Sequence, residues 1–551
     1  MNRVRSVVSR ANQRLSLQLA ATLLASSSLL SALLGLFRQR LLNGAYAPNP
    51  EAGLTGYPQG LDAYAVAFII PDFMFFILVS GALSVTFIPV FNDRLQKGNR
   101  KSAWELSTSM VNFMALTTLV SSLLIIIFAE PLVRYVVGPG LDESSRTLAV
   151  SMMRVIAVNP FLFAIATVIA SVQQAVGRFT FYALAPAIYN IGIIIGLTVF
   201  TNGINLFGVQ LFEGGIMGVA LGVVLGSIMQ LVVSAVGLAG LGFDYRFKIY
   251  WKNHGFRQVL GLLPARSFDQ GIDYFNSIVE TNLASRMAAG SVWFYNQATT
   301  LHMVPVTMIG VAISTAAFPR MTERLSQGRP DLFRKELQSI LRVIIWLSLP
   351  TATIAFFTRG YLVNFIFNGG QPIVAGVLGV LVVAILFRSI YQIASRSFYA
   401  QKDTRTPLYI SIFTIGLNIF LAILFTMAFD MGIYGLAWAQ SIVAAVEVFI
   451  LFAIMSMRIP NLFDAVFWHA VARMASATGF TAVITYISVK VFELAATDQS
   501  FLATFPKFSV IVAISLASYV AISRMLSLTE ADPVISRVKS VIFGQVKSRN
   551  G

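Results

Sequence analysis

Residues 264–280 read PARSFDQGIDYFNSIVE. Three carboxylates, one guanidinium and several neutral polar side chains sit there in a chain otherwise rich in apolar runs. At roughly 100° per residue on a helix, Arg266, Asp269, Asp273 and Glu280 fall within a wedge of about 60°. Asn276 and Ser277 add polar atoms nearby. A polar stripe that narrow suits two kinds of chemistry. Carboxylates hold a cation or relay a proton, and an arginine holds an anion by paired donors. The same spacing also builds an internal ladder, since Arg266 reaches Asp269 or Asp273 along the helix. Both readings stay open. Glu280 stands apart, because the ladder offers it no cation within reach.

Four further arginines lie in or beside apolar runs. Arg154 and Arg388 occupy corresponding predicted helices in the two halves of the chain, and Arg38 and Arg40 close the first one. Arginine never loses its charge and grips phosphate with two parallel donors, so these residues are candidate ligands for a phosphate-bearing substrate. Arg38 and Arg40 also fit side chains that snorkel to the membrane surface. Glu447 is a competing partner for Arg388.

These residues must be positioned by elements that tolerate lipid. The chain has 551 residues, is 56% hydrophobic and 12% charged, and has a mean hydropathy of +0.75. Runs almost free of charge recur along its whole length, which predicts an all-α polytopic membrane protein with about fourteen transmembrane helices. Predicted spans include 16–37, 63–90, 257–283, 291–318, 374–399 and 508–526. The basic N-terminus followed by an apolar run, with AYA at 45–47, has the outline of a cleaved leader. The apolar run is too long for one, and RQR at 38–40 separates it from AYA, so a retained first helix is predicted. With the N-terminus placed in the cytoplasm, most of the 40 Lys and Arg fall in cytoplasmic loops. That bias predicts cytoplasmic N- and C-termini.

One phrase is written twice. FIPVFNDRLQKG (87–98) and AFPRMTERLSQG (317–328) share proline, acid, Arg-Leu and glycine in register. A second echo, GIMGVA (215–220) and GIYGLA (432–437), keeps the same helix spacing. Both members of each pair are an even number of helices apart, so the copies cross the membrane in the same direction. The expected organisation is two parallel lobes of about six helices, 1–256 and 257–456, followed by a helix pair and tail at 457–551. Parallel repeats of this kind are a transporter design with a cavity between lobes. Pro71, Asn159–Pro160, Pro264 and Pro305 mark expected kinks.

LLGLFRQRLL (33–42), LDAYAVAFIIPDF (61–73), GALSVTFIPVF (81–91), ETNLASRMAAGSVWFYNQA (280–298), VPVTMIGVAISTAAFPRM (304–321) and FYAQKDTRTPLY (398–409) together resemble the MurJ/MviN family of the multidrug/oligosaccharidyl-lipid/polysaccharide exporter superfamily. The resemblance implies a lipid II flippase of the bacterial cytoplasmic membrane. Such a protein moves an undecaprenyl-pyrophosphate-linked peptidoglycan precursor from the inner to the outer leaflet, and so serves cell-wall biogenesis. Its partners would be that lipid-linked saccharide and membrane lipids. The resemblance implies substrate-binding roles for Arg38 and Asp62, to which the residue reading adds Arg154, Arg266 and Arg388. The ion-coupling candidates are Asp269, Asp273, Glu280 and Asn418. No cofactor is implied, and coupling to Na+ or H+ is left open. Glu280 and Asn418 match the family's sodium pattern, whereas the acid expected after Asn418 is Ala422.

The chain departs from the family elsewhere. Asp72, Phe73 and Met74 stand where an arginine pair is usual, Ser80 where a glutamate is, Thr300 and Ala32 where arginines are, and Gln39 where an acid is. The departures keep two alternatives in view, a flippase for another lipid-linked oligosaccharide and a cation-coupled drug antiporter. An enzyme is disfavoured, since His254, His302 and His469 are scattered with no metal-ligand spacing, and an ATP-driven pump is disfavoured because no phosphate-binding glycine loop occurs. A nucleic-acid partner is disfavoured because the +16 net charge is dispersed among short loops.

Overall fold

The computed structural model describes residues 17–46, 60–80, 86–206, 209–243, 245–495, 497–532 and 536. The chain is helical almost throughout. The first helices are α1 (Leu17–Tyr46), α2 (Leu61–Phe75), α3 (Ile88–Gln96), α4 (Arg100–Pro131), α5 (Glu143–Ile156), α6 (Asn159–Ala175), α7 (Thr180–Thr198), α8 (Met217–Val236) and α9 (His254–Ser285). They are followed by α10 (Ser291–Pro305), α11 (Ala312–Ser326), α12 (Pro330–Phe357), α13 (Arg359–Asn364), α14 (Pro372–Ala400), α15 (Arg405–Ile423), α16 (Gly432–Arg458), α17 (Ala465–Val491) and α18 (Phe501–Met525). A short antiparallel hairpin, β1 (Ile204–Leu206) with β2 (Val209–Phe212), joins α7 to α8.

Among the described residues, 12 helical stretches are long and apolar enough to cross a membrane. The remaining long helices, α1 with 30 residues and α9 with 32, complete the expected set. Several helices begin where a short polar side chain takes up free backbone N–H groups. Asn99 accepts from Ser102 N ahead of α4, and Asn253 from Gly255 and Phe256 N ahead of α9. Asp464 accepts from Phe467 N ahead of α17, and Ser500 from Ala503 N ahead of α18.

The twice-written phrase folds twice into the same stop. Gly98 and Gly328 follow α3 and α11 at φ 74° and 68°, a conformation that only glycine enters freely. In each copy the glycine N–H bonds the leucine carbonyl (Leu95, Leu325), and the next N–H bonds the arginine carbonyl (Arg94, Arg324), at 2.9–3.1 Å. This is a Schellman motif, and it explains why a glycine recurs at that position after each helix. The QKDTRTP stretch is likewise a helix junction. Asp403 accepts from the Arg405 and Thr406 N–H groups at 3.0 Å and from Thr406 Oγ1 at 2.6 Å, capping α15. It also pairs with Arg458 at the end of α16, at 2.8 Å.

The prolines act locally. Pro131 and Pro305 immediately precede wide π turns at 132–137 and 306–311, and two further π turns lie at 76–80 and 424–428. Pro160 starts α6 after a break at 157–158, so that position ends one helix and opens another rather than bending a continuous one.

The chain forms two compact units, Met1–Trp293 and Phe294–Gly551. The first includes α9, which the repeat pattern places at the head of the second lobe. A repeat boundary records sequence symmetry, and a compact unit records packing, so the two divisions describe different properties. The first unit's core gathers Phe87, Phe91, Met110, Met114, Val168 and Phe256. In the same unit α7 and α8 meet glycine to glycine. A Cβ on Gly192 would strike Gly226, and one on Gly196 would strike Gly222. Small residues spaced by four on both helices permit that approach, as in membrane helix pairs generally. The second unit's core gathers Phe333, Leu341, Ile344, Phe398, Leu451 and Met474.

Candidate functional site

Each unit carries its own intramembrane polar cluster. In the first, Arg38 lies on α1 and donates to Asn190 Oδ1 on α7 at 3.0 Å. Asn190 Nδ2 in turn donates to the carbonyls of Ser31 and Pro186, both at 3.2 Å. Tyr64 and Tyr189 each lie within electrostatic reach of both Arg38 and Asp72. Two phenols, an amide, a guanidinium and a carboxylate therefore share one neighbourhood within membrane-crossing helices. A carboxylate and a guanidinium are costly at that depth, and such residues mark functional paths by default. Asp72 was seen from sequence only as a departure from the family pattern. Its position inside the apolar span Leu61–Val79 was the signal that could have ranked it.

Asp62 opens α2 and is buried, with 5% of its surface exposed. Its carboxylate accepts from Gly290 N at 2.6 Å and from Trp293 N at 2.8 Å, so it caps the start of α10. Trp293 Nε1 donates to Asn43 Oδ1 at 2.8 Å, and the indole lies edge-on to Tyr64. In this conformation both Asp62 oxygens serve the backbone of that turn. Arg154, on α5, is exposed, and its Nε reaches the Ile126 carbonyl at 3.4 Å.

On α9, Glu280 is buried and accepts from Asn276 Nδ2 at 2.9 Å. The side chains of Arg266, Asp269 and Asp273 lie outside the described residues, although the helix that carries them is continuous through 264–273.

In the second unit, Arg388 of α14 and Glu447 of α16 form an ion pair at 3.2 Å. Glu447 is almost fully buried and also accepts from Ser411 Oγ at 3.1 Å and Thr414 Oγ1 at 3.3 Å, both on α15. His302 of α10 is buried and within electrostatic reach of Arg388. Sequence reasoning treated it only as one of three scattered histidines. Asn418, on α15, is buried as well. Of the coupling candidates, Glu280 belongs to the first unit and Asn418 to the second.

Paired and hydrogen-bonded charges inside helices that cross lipid can hold ions or polar headgroups without forming covalent bonds. Among the described residues, no group of three or more His, Cys, Asp or Glu could hold a metal ion.

Comparison with known proteins decides among transporter classes. The family model described as "Lipid II flippase MurJ" matches residues 54–506. The chain belongs to the MurJ lipid II flippase family. It is 25% identical to the probable lipid II flippase MurJ of Bdellovibrio bacteriovorus, over 80% of this chain and 83% of that one. It is 25% identical to the lipid II flippase MurJ of Burkholderia cenocepacia, over 70% and 73%. A solved structure of "Lipid II flippase MurJ, inward closed conformation" superposes with a TM-score of 0.72 at 21% identity, covering 92% of this chain and 98% of that chain. An inward-facing MATE-family multidrug transporter of the MOP superfamily superposes at 0.64 with 16% identity, covering 78% and 95%. The MurJ fold is therefore shared across almost the whole chain, and the MATE fold across most of it.

Proposed function

We propose that this protein is a lipid II flippase of the bacterial cytoplasmic membrane. It moves the undecaprenyl-pyrophosphate-linked precursor from the inner to the outer leaflet by alternating access and catalyses no covalent step. The family match over residues 54–506 carries this reading. The site chemistry supports it. Arg38 and Arg388 are partly buried arginines on membrane helices, one donating to Asn190 Oδ1 and the other paired with Glu447, and a pyrophosphate offers each a charged acceptor. Asp62 shapes the turn beside Arg38's neighbourhood rather than touching cargo in this conformation. Arg154 and Arg266 are secondary anion ligands, and Asp269, Asp273, Glu280 and Asn418 are the coupling candidates for Na+ or H+. The N- and C-termini face the cytoplasm, as the loop charges require.

The test is reconstitution in vesicles with labelled lipid II and, in parallel, a fluorescent cationic dye. Outward movement of the lipid headgroup that is lost in Arg388→Ala or Arg38→Ala supports the proposal. Dye export without lipid movement, abolished by Glu280→Gln, would overturn it in favour of a cation-coupled antiporter.

A further inference from the structure

Within the second unit, at the end of α12 that the loop charges assign to the cytoplasm, a cavity of about 480 Å³ is lined by Lys335, Arg342, Trp346, Asp464, Phe467 and Glu530. Glu530 lies on the short turn after α18 and pairs through Oε1 with Arg342 Nε. Its side chain is only 6% exposed, and its Oε2 is walled off from solvent without a hydrogen-bond partner. A buried carboxylate oxygen without a donor is expensive, and none of the cavity's own donors, Lys335 and Arg342 among them, hydrogen-bonds this one in the structure. Trp346 cannot be the missing donor, because its Nε1 is committed to Ser523 Oγ at 3.1 Å. Asp464 adds a second carboxylate, one oxygen of which caps α17. Lys335 and Arg342, seven residues apart, share one face of α12. Two cationic and two anionic side chains thus face one polar space.

Phe467 also lines a second cavity of about 480 Å³ whose walls are apolar, among them Leu341, Ile345, Leu349, Phe387 and Phe449. The α12 residues of this groove recur at every fourth position beside those of the polar cavity. A polar chamber with balanced charge therefore adjoins an apolar slot on a protein that sits in a bilayer.

We propose that the two cavities together bind one amine-bearing phospholipid. Its phosphate meets Lys335 and Arg342, its primary ammonium donates to Glu530 Oε2 and Asp464, and an acyl chain lies in the apolar groove. Charge complementarity selects this occupant. A phosphatidylglycerol headgroup offers Glu530 only neutral hydroxyls and no positive charge, and a quaternary ammonium carries no N–H to give. The inference is independent of the transported cargo, because none of these residues belongs to the two intramembrane clusters described above.

The test uses the purified full-length protein in detergent, with lipid retention read by native mass spectrometry. Phosphatidylethanolamine, phosphatidylcholine and phosphatidylglycerol of matched chains are compared, along with soluble phosphoethanolamine. Phosphatidylethanolamine is expected to bind about tenfold more tightly than the other two lipids. Glu530→Gln is expected to bring the three within about twofold of one another. Lys335→Ala, at an exposed position that folding does not need, is expected to weaken phosphatidylethanolamine by several-fold and keeps the test decisive if the Glu530 variant does not fold. Equal binding of ethanolamine and choline lipids, preference for phosphatidylglycerol, retained preference in Glu530→Gln, or equal binding of soluble phosphoethanolamine would each overturn the proposal.

Discussion

Arg388 and Glu447 meet at 3.2 Å between α14 and α16, two helices of one unit, and the carboxylate is the more deeply buried partner, 4% exposed against 27%. Removing the arginine leaves a buried carboxylate without its cationic partner, still hydrogen-bonded by the Ser411 and Thr414 hydroxyls of α15. Arg388→Ala is expected to destabilise the protein by about 3–5 kcal/mol. The double variant Arg388→Met/Glu447→Leu should recover most of that loss while transport stays absent. Thermal unfolding in detergent, run beside the vesicle assay, separates the two effects. Equal stability of Arg388→Ala and the double variant would count against the ion pair as described.

Asp62 offers a sharper separation of structure from cargo binding. Asp62→Ala strands the Gly290 and Trp293 N–H groups in a buried site and should cost about 2–5 kcal/mol. Asp62→Asn keeps one acceptor oxygen and should cost less than half of that. If the residue acts by holding the turn, flipping by Asp62→Asn persists in proportion to folded protein. A variant that folds fully and flips nothing would instead make Asp62 a direct ligand of the substrate.

The Asp403 junction predicts a pH response. Partial burial would raise its carboxyl, but hydrogen bonds from Thr406 and pairing with Arg458 more than offset that and hold it at about 2. Its folded-state value lies below the unfolded one. Its stabilisation is therefore present above the unfolded value near 4 and is lost as pH falls through about 2. Solvent screening limits the effect to about 1 kcal/mol. Thermal unfolding of Asp403→Asn should show that deficit at neutral pH and converge with the parent protein by about pH 2.

The glycine seam between α7 and α8 is the steric prediction. Gly192→Val places carbon atoms where the Gly226 backbone already lies, and it should destabilise by about 1–3 kcal/mol or more. Gly35→Val on α1, where a Cβ meets nothing within 4 Å, is the control and should be near neutral. Comparable losses in both would show that valine's helix propensity, rather than crowding, sets the cost.

Much of the architecture was legible before any coordinates. Helix existence follows from apolar run length, and the doubled phrase announced two matching helix stops, because a Schellman turn is written within six consecutive residues. The Arg388–Glu447 alternative was also readable, since buried opposite charges seek each other. The partners of Arg38 and Trp293 were not. Asn190 is 152 residues from Arg38, and Asn43 is 250 from Trp293, so only the tertiary fold brings them together. Asn190 alone gave a hint, as a single amide in the apolar run AIYNIGIII. Asp62 shows a further limit: a lone acid at a helix start carries the same signature whether it grips a ligand or a distant turn.

The wide turn at 306–311 carries one residue more than an α turn would use. Deleting a single residue there would rewind it and restore a uniform ladder. The chain beyond, through Ala312–Ser326, would then keep its direction but swing by about 100° around its own axis. The proline-adjacent turn thus works as an indexing device, setting which side of α11 meets its neighbours.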